Sequence, residues 1–569
     1  MDTIIWNLSN GTRVLAALWR PFAISMLLYF SGYWFVWFAS LARVARLTKR
    51  FRKLDASEAV DVLVVVPTML RSRDELEELR HAATTIVGNR YPGRVVTCLA
   101  IDGSDVAPAL VDEIERWGKQ QESPVLVARV PKRGGKGVAV AAGLARAELA
   151  VQRGELSRLP PIFFNMDADS ELGPRTLERM VAKLVRPKRR PMIVASNVLV
   201  RREHYWQGVR HFFTMRGQLA LQVAREYMTS ISIARPNFGI LPVTGVSGAL
   251  YATWTELHQL QPRHASFMLA LRRRDVVAWW LGRRPPSFAR FTGAPNIAAT
   301  AGPGDDTWLA WLAMAAHWRG DKISLELPRT PAHAFARLVD SFFRRPIAYD
   351  HEARVYTATP TTVRALFKQR VRWNSSRGWL LQRFGAVPYM SWDMGAWVVS
   401  DLLLTLVIHA TILVGLLGWP FSTRPAAWLA LVVLGIASSF AIRAAATLLA
   451  ILQEGDLAGH WHKLLAIPLS GPYHVVFNIF STIVGFVLDY LGFGLNTHFA
   501  PEETLAASQR GRLALSYRSA RCAKLIARAL WRGDVEPGWF WFGWHRTRWT
   551  ASGYAGWTNK ALRYKRGGL

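Results

Sequence analysis

Two aspartates one residue apart close a short apolar run, Phe163-Phe164-Asn165-Met166-Asp167-Ala168-Asp169. In an extended segment residues i and i+2 point to the same face, so the Asp167 and Asp169 carboxylates can converge on one hard cation. Mg²⁺ and Mn²⁺ take such oxygen ligands and commonly share them with phosphate. Acidic pairs also serve as solvated turns, so the surroundings decide. A second pair, Asp305-Asp306, opens a helical pattern over Thr307 to Ala316, where acidic residues cap helices. A third stretch, Lys132-Arg133-Gly134-Gly135-Lys136-Gly137, sets Lys136 on a glycine turn that can approach a diphosphate closely. The fourth is Gln369-Arg370-Val371-Arg372-Trp373, in which Gln369, Arg372 and Trp373 fall at i, i+3 and i+4 and share one helix face.

The elements that must position these residues alternate. Val60 to Pro67 is a β-branched run of the kind buried on both faces of a parallel sheet, and Thr68 stands at its end. Helix Glu75 to Val87 comes next. A second strand, Val95 to Ile101, runs into Asp102-Gly103-Ser104-Asp105. A third, Val125 to Val130, leads to the Lys136 turn and a helix over Val138 to Leu149; Ile162 to Met166 and Met192 to Asn197 make the fourth and fifth. Such alternation predicts an α/β, doubly wound, mostly parallel sheet, whose ligands sit at the carboxyl ends of its strands. The motifs fall there. Further on, Tyr205 to Tyr227 and Pro360 to Phe384 read as amphipathic helices, the first lying in a membrane interface, and Val243 to Tyr251 as a glycine-punctuated turn and strand. Residues 256–300 form a basic insertion without a functional reading.

The chain has 569 residues and a net charge of +31, a balance suited to nucleic acid, anionic lipid or an anionic substrate. Apolar segments favour lipid. Pro21 to Ala42 is an uncharged run of 22 residues, long enough to span a bilayer. The basic cluster behind it, Arg43 to Lys53, places the α/β segment in the cytoplasm. Met394 to Gly418, Ala426 to Leu452 and Val475 to Leu495 read as further spans. Asp401 and Arg443 fall at similar depth in the hairpin of the first two, lining a translocation route or pairing structurally. Three later spans put the C-terminus outside, whereas the basic, Trp-rich tail favours inside. Cys98 and Cys522 offer neither a disulfide framework nor a cysteine metal cluster.

Taken together, the motifs resemble those of the processive, membrane-embedded glycosyltransferases of family 2, the cellulose, chitin and hyaluronan synthases. The resemblance implies a GT-A domain over residues 55–359, with a membrane anchor and basic flank over 1–54. An interface helix would occupy 360–390, channel-forming transmembrane helices 391–497, and the basic tail 498–569. It implies donor contacts from Asp102, Lys136, Asp167, Gln369 and Arg372, and Asp169 as the ligand of Mg²⁺ or Mn²⁺. Asp306 would be the general base, with Asp305 beside it. Trp373, Ser247 and Gly248 would face the acceptor, and Thr68, Asp401 and Arg443 are further candidates. Ile101 stands where the family commonly has the first aspartate of its Asp-Asp-Gly motif. The implied protein is an inverting hexosyltransferase of the bacterial inner membrane that extends a β-linked polysaccharide from a nucleotide sugar, a UDP-sugar foremost, and exports it. Its partners are donor, growing polymer, membrane lipids and accessory export or regulatory subunits, and no nucleic acid. Two alternatives share these motifs: a non-processive enzyme glycosylating a lipid, and an inactive membrane scaffold or polysaccharide-binding subunit.

Overall fold

The computed structural model describes residues 51–132, 135–186, 190–232, 246–270, 288, 305–325, 346–371, 373, 440–441, 443–481 and 484. Its first half alternates as the hydrophobic runs require: β1 (Val62–Thr68), α1 (Arg73–Val87), β2 (Val95–Asp102), α2 (Pro108–Lys119), β3 (Val125–Val130), α3 (Lys136–Gln152), β4 (Ile162–Met166), β5 (Ser170–Leu172), α4 (Thr176–Val185) and β6 (Ile193–Val200). Single-turn helices Arg202–Tyr205 and Val209–Phe212 precede α5 (Met215–Ser232). Then come β7 (Leu250–Trp254), α6 (Thr255–Ala270), α7 (Asp305–Ala315), the hairpin strands β8 (Ala316–Arg319) and β9 (Lys322–Leu325), and β10 (Ile347–Thr357).

Eight strands form one sheet in the order β3-β2-β1-β4-β7-β6-β10-β5. The pairs β1–β2, β2–β3, β1–β4 and β6–β10 are parallel, while β7 runs antiparallel to β4 and β6. Both faces are covered. Val62, Val64 and Val66 pack with Leu79 and Ile86 of α1 and Met180 of α4. Leu63 and Val65, pointing the other way, pack with Ala139 and Leu144 of α3 and Leu309 of α7. Covering both faces is why β1 reads as a continuous apolar run. Gly143 lets α3 lie close against the sheet, since a Cβ there would stand 2.6 Å from a Val65 methyl.

Several expectations change. The strand expected within Val243 to Tyr251 occupies Leu250–Trp254 and is antiparallel, because it fills the gap between β4 and β6. The helix expected over Tyr205 to Tyr227 is broken at Gly208, whose φ of +102° suits glycine. Its main piece, α5, is no freely lying surface helix: Leu219, Leu221 and Val223 share a core with Tyr205, Leu366, Tyr473 and Phe477. Part of the 256–300 insertion is the regular helix α6.

Among the described residues no helix is long and apolar enough to cross a membrane. The expected spans Pro21 to Ala42 and Met394 to Gly418, with Asp401, lie outside the described residues, as does much of the other two. The described end of Ala426 to Leu452 is helical over 443–454 and packs Ala450 and Ile451 against Met228 of α5. Within it the Arg443 guanidinium donates to the Ser470 carbonyl at 3.0 Å. Val475–Phe480, where the last span was to begin, is a π-helical turn.

Candidate functional site

The carboxyl ends of β2 and β4 and the amino ends of α3 and α7 meet at one place. Asp102 closes β2 and is buried; its Oδ2 accepts from the Gly135 N–H at 2.9 Å, which ties the glycine turn to the sheet. Gly135 has φ +91° and starts α3, so Lys136 enters at the first turn of that helix. Arg133 and Gly134 lie outside the described residues.

Lys136 Nζ sits 2.6 Å from Asp167 Oδ1 and donates to the Gly248 carbonyl at 3.3 Å. Buried Asn165 donates to the same carbonyl at 3.0 Å. Gly248 is the floor of this corner: a Cβ there would stand 3.0 Å from Lys136 Nζ and 3.2 Å from Asp306 Oδ2. Thus Lys136 and Asp306, 170 positions apart in the chain, both border one glycine, and Lys136 also pairs with Asp167. Ser247 turns its hydroxyl to the Ala249 N–H, shaping that turn. Asp305 is the first residue of α7 and Asp306 the second, so the pair stands at the helix's positive end.

Asp169 lies one turn beyond Asp167. Its Oδ1 accepts from Thr357 of β10 at 3.3 Å and from the Ser170 hydroxyl at 3.4 Å, and Arg201 donates to its carbonyl at 2.8 Å. Burial, followed by the charges of Asp167 and Glu78, pushes the Asp169 carboxyl up to about 6, against the opposing pull of Thr357 and Arg201. A carboxylate so placed gains from a cation more than an exposed one does. Among the described residues no three His, Cys, Asp or Glu side chains form a metal cluster. A cation bound here would take Asp169, with Asp167 beside it, and fill its shell with phosphate and water oxygens, a pattern that suits Mg²⁺ and Mn²⁺. The residues fit.

The Gln369 motif is helical over 363–371 and at 373. Gln369 Oε1 is buried without a hydrogen-bond partner among the described residues. The Trp373 ring lies 6.2 Å from that of Tyr227 on α5, and Tyr227 is near enough to Asp167 and Asp169 to feel their charges. Trp373 and the aspartates are thus linked through Tyr227, whereas Arg372 falls outside the described residues. Thr68, the last residue of β1, donates its hydroxyl to the adjacent Met69 carbonyl at 3.3 Å. Arg443 donates to the carbonyl of Ser470, which is not among the residues of this corner described above.

Several residues were missed by sequence reasoning. Asn165 is two positions before the Asp-x-Asp pair and Arg370 lies inside the Gln369 motif, so their neighbourhoods were in view. Thr357, Arg201 and Tyr227 reach the site only through strand and helix pairings that no local pattern announces.

Residues 63–232 match the family described as glycosyl transferase family 2, and that segment is a domain of this kind. The match covers Asp102, Lys136, Asp167 and Asp169; Gly248, Asp306 and Gln369 lie beyond it. No curated protein matches the chain. Among solved structures, the chain is similar to a mannosyltransferase from Pyrobaculum calidifontis in complex with GDP-Man and Mn²⁺. That likeness is 14% identical with a TM-score of 0.35, covering 81% of this chain and 96% of the other. It is also similar to glucosyl-3-phosphoglycerate synthase from Mycobacterium tuberculosis with Mn²⁺, UDP-glucose and phosphoglyceric acid, at 15% identity and a TM-score of 0.27, covering 58% and 82%.

Proposed function

We propose that this chain is an inverting, metal-dependent hexosyltransferase of the inner membrane, which extends a β-linked polysaccharide from a nucleotide sugar, foremost a UDP-sugar, and passes it through its own membrane helices. The observation that carries the transferase reading is the convergence of Lys136 and Asp306 on Gly248, with Asp167 paired to Lys136. It sets a diphosphate-seeking cation and a candidate base against one small residue. Asp306 takes the proton of the acceptor hydroxyl, and the freed oxygen attacks the anomeric carbon from the face opposite the leaving group. The bond from that carbon to the diphosphate breaks, and its electron pair leaves with the nucleoside diphosphate. Lys136 meets the departing charge, moving from Asp167 to phosphate. A divalent cation on Asp169 would add neutralisation of the same charge. With one base and no second carboxylate placed as nucleophile, the displacement is single and the configuration inverts.

Processivity and export rest on Gln369, Arg372 and Trp373 and on the apolar segments of the sequence. Purified full-length protein in nanodiscs, given a panel of radiolabelled nucleotide sugars with Mg²⁺ or Mn²⁺, tests both levels. High-molecular-weight, glycanase-sensitive product from one donor is the expected result; a short lipid-soluble product alone would reject polymerisation. Asp306→Asn should keep donor binding and lose roughly 10²–10⁴-fold in transfer. Transfer within threefold of wild type would remove Asp306 from the role of base.

A further inference from the structure

Arg370 occupies a position in the Gln369 motif to which the chemistry above gives no task, yet it is among the most buried charges of the described residues. It is 5% exposed, and its Nη2 meets Glu226 Oε2 of α5 at 2.7 Å. Tyr473, also 5% exposed, donates its hydroxyl to the same carboxylate oxygen at 2.8 Å, and Arg370 Nη2 lies 3.2 Å from the Tyr473 oxygen. Three elements therefore close on one point: α5, the motif helix, and the short helix Ser470–His474 that leads into the last apolar segment. The guanidinium also lies 4.6 Å over the Trp373 ring, and that ring lies 6.2 Å from the ring of Tyr227, next in sequence to Glu226. A buried ion pair is a poor source of net stability, because desolvation cancels much of the attraction; what it does well is fix geometry.

We infer that Glu226, Arg370 and Tyr473 are positioning residues: they clamp the motif helix to α5 and to the helix at the membrane segment, holding Trp373 as the flat surface on which an acceptor pyranose stacks. The inference rests on the glycosyltransferase reading. Sugar rings stack through their C–H faces on aromatic planes, and a Trp free to turn gives little orientation. The clamp supplies orientation without touching donor or metal. It also ties acceptor placement to the segment through which product leaves.

The test separates positioning from structure by measuring two reactions of one donor in nanodiscs: hydrolysis, in which water accepts the sugar, and transfer to a sugar acceptor. Tyr473→Phe removes one hydroxyl, and Arg370→Lys keeps the charge without the fork that reaches both partners. Both should leave donor KM and hydrolysis within about twofold, while transfer falls on the order of tenfold and products shorten. A parallel fall in hydrolysis and transfer would mean a merely structural role, and unchanged transfer in both variants would mean no role; either overturns the clamp. Glu226→Asp, retaining the carboxylate, should recover part of the transfer lost in Glu226→Gln, and its failure to do so also counts against the clamp. A wild-type protein that turns over no donor in the panel sinks the transferase reading itself and the clamp with it. That outcome is distinct from an active wild type with indifferent variants.

Discussion

Asp169 has the most informative environment of any candidate residue, because its surroundings work against its charge. With a folded value near 6 against an ordinary 3.8, the native state binds a proton more tightly than the unfolded chain does. Its contribution to stability is therefore complete below about pH 4 and is lost as pH rises through 6. Above that the metal-free protein carries a cost of up to ~3 kcal/mol, reduced where solvent reaches the carboxylate. Asp169→Asn should raise the melting temperature of EDTA-treated protein at pH 8 and make little difference at pH 4. A variant that melts no higher than wild type at pH 8 would show that Asp169 is not strained by its burial. Added Mn²⁺ should stabilise wild type at pH 8 and leave the variant unchanged.

The strands most legible in the sequence were β1, β2, β4 and β6, since burial on both faces leaves them nearly free of polar residues. Asp102 and the Asp167–Asp169 pair could be placed at strand ends for that reason. β10 was not legible. Its sequence, Ile-Ala-Tyr-Asp-His-Glu-Ala-Arg-Val-Tyr-Thr, carries Asp350 and His351 in buried positions, which local pattern rules assign to solvent. Asp350 is buried because Arg179 of α4 pairs with it at 2.9 Å and the Glu352 and Ala353 N–H groups donate to it. That information belongs to the tertiary structure. β7 begins at Leu250 rather than earlier in Val243 to Tyr251 and extends to Trp254, where its pairing with β4 and β6 sets its bounds. Gly143, by contrast, makes a claim that is local to one helix. Gly143→Val should drive a side chain into Val65 and cost at least the roughly 1–3 kcal/mol of an overpacked core. Chemical denaturation of the isolated variant would check this, and a midpoint equal to wild type would refute the close approach of α3 to the sheet.

At the scale of the molecule, three exposed apolar side chains fall within one short segment before and at the start of α5. Val209, Phe213 and Met215 are each about two-thirds exposed or more and alternate with Arg210 and Arg216, a composition suited to an anionic lipid surface. Val106, on the loop after β2, is equally exposed. Spin labels at Phe213→Cys and Val106→Cys, in a Cys522→Ser background, should behave oppositely in nanodiscs. The first should be more accessible to oxygen dissolved in lipid, the second to a water-soluble nickel chelate. Equal accessibility to the chelate would remove residues 209–215 from the membrane surface.

The hydrogen bond between Thr357 and Asp169 joins residues 188 positions apart. A ribosome adding about 5–20 residues per second needs roughly 10–40 s to cover that distance. During that interval β1 to β4 can already pair, but Asp169 lacks the strand that holds it. The candidate site is thus completed only after the first four strands have emerged and shortly before the motif helix itself appears. A nascent chain halted before β10 should own a folded edge and no working site.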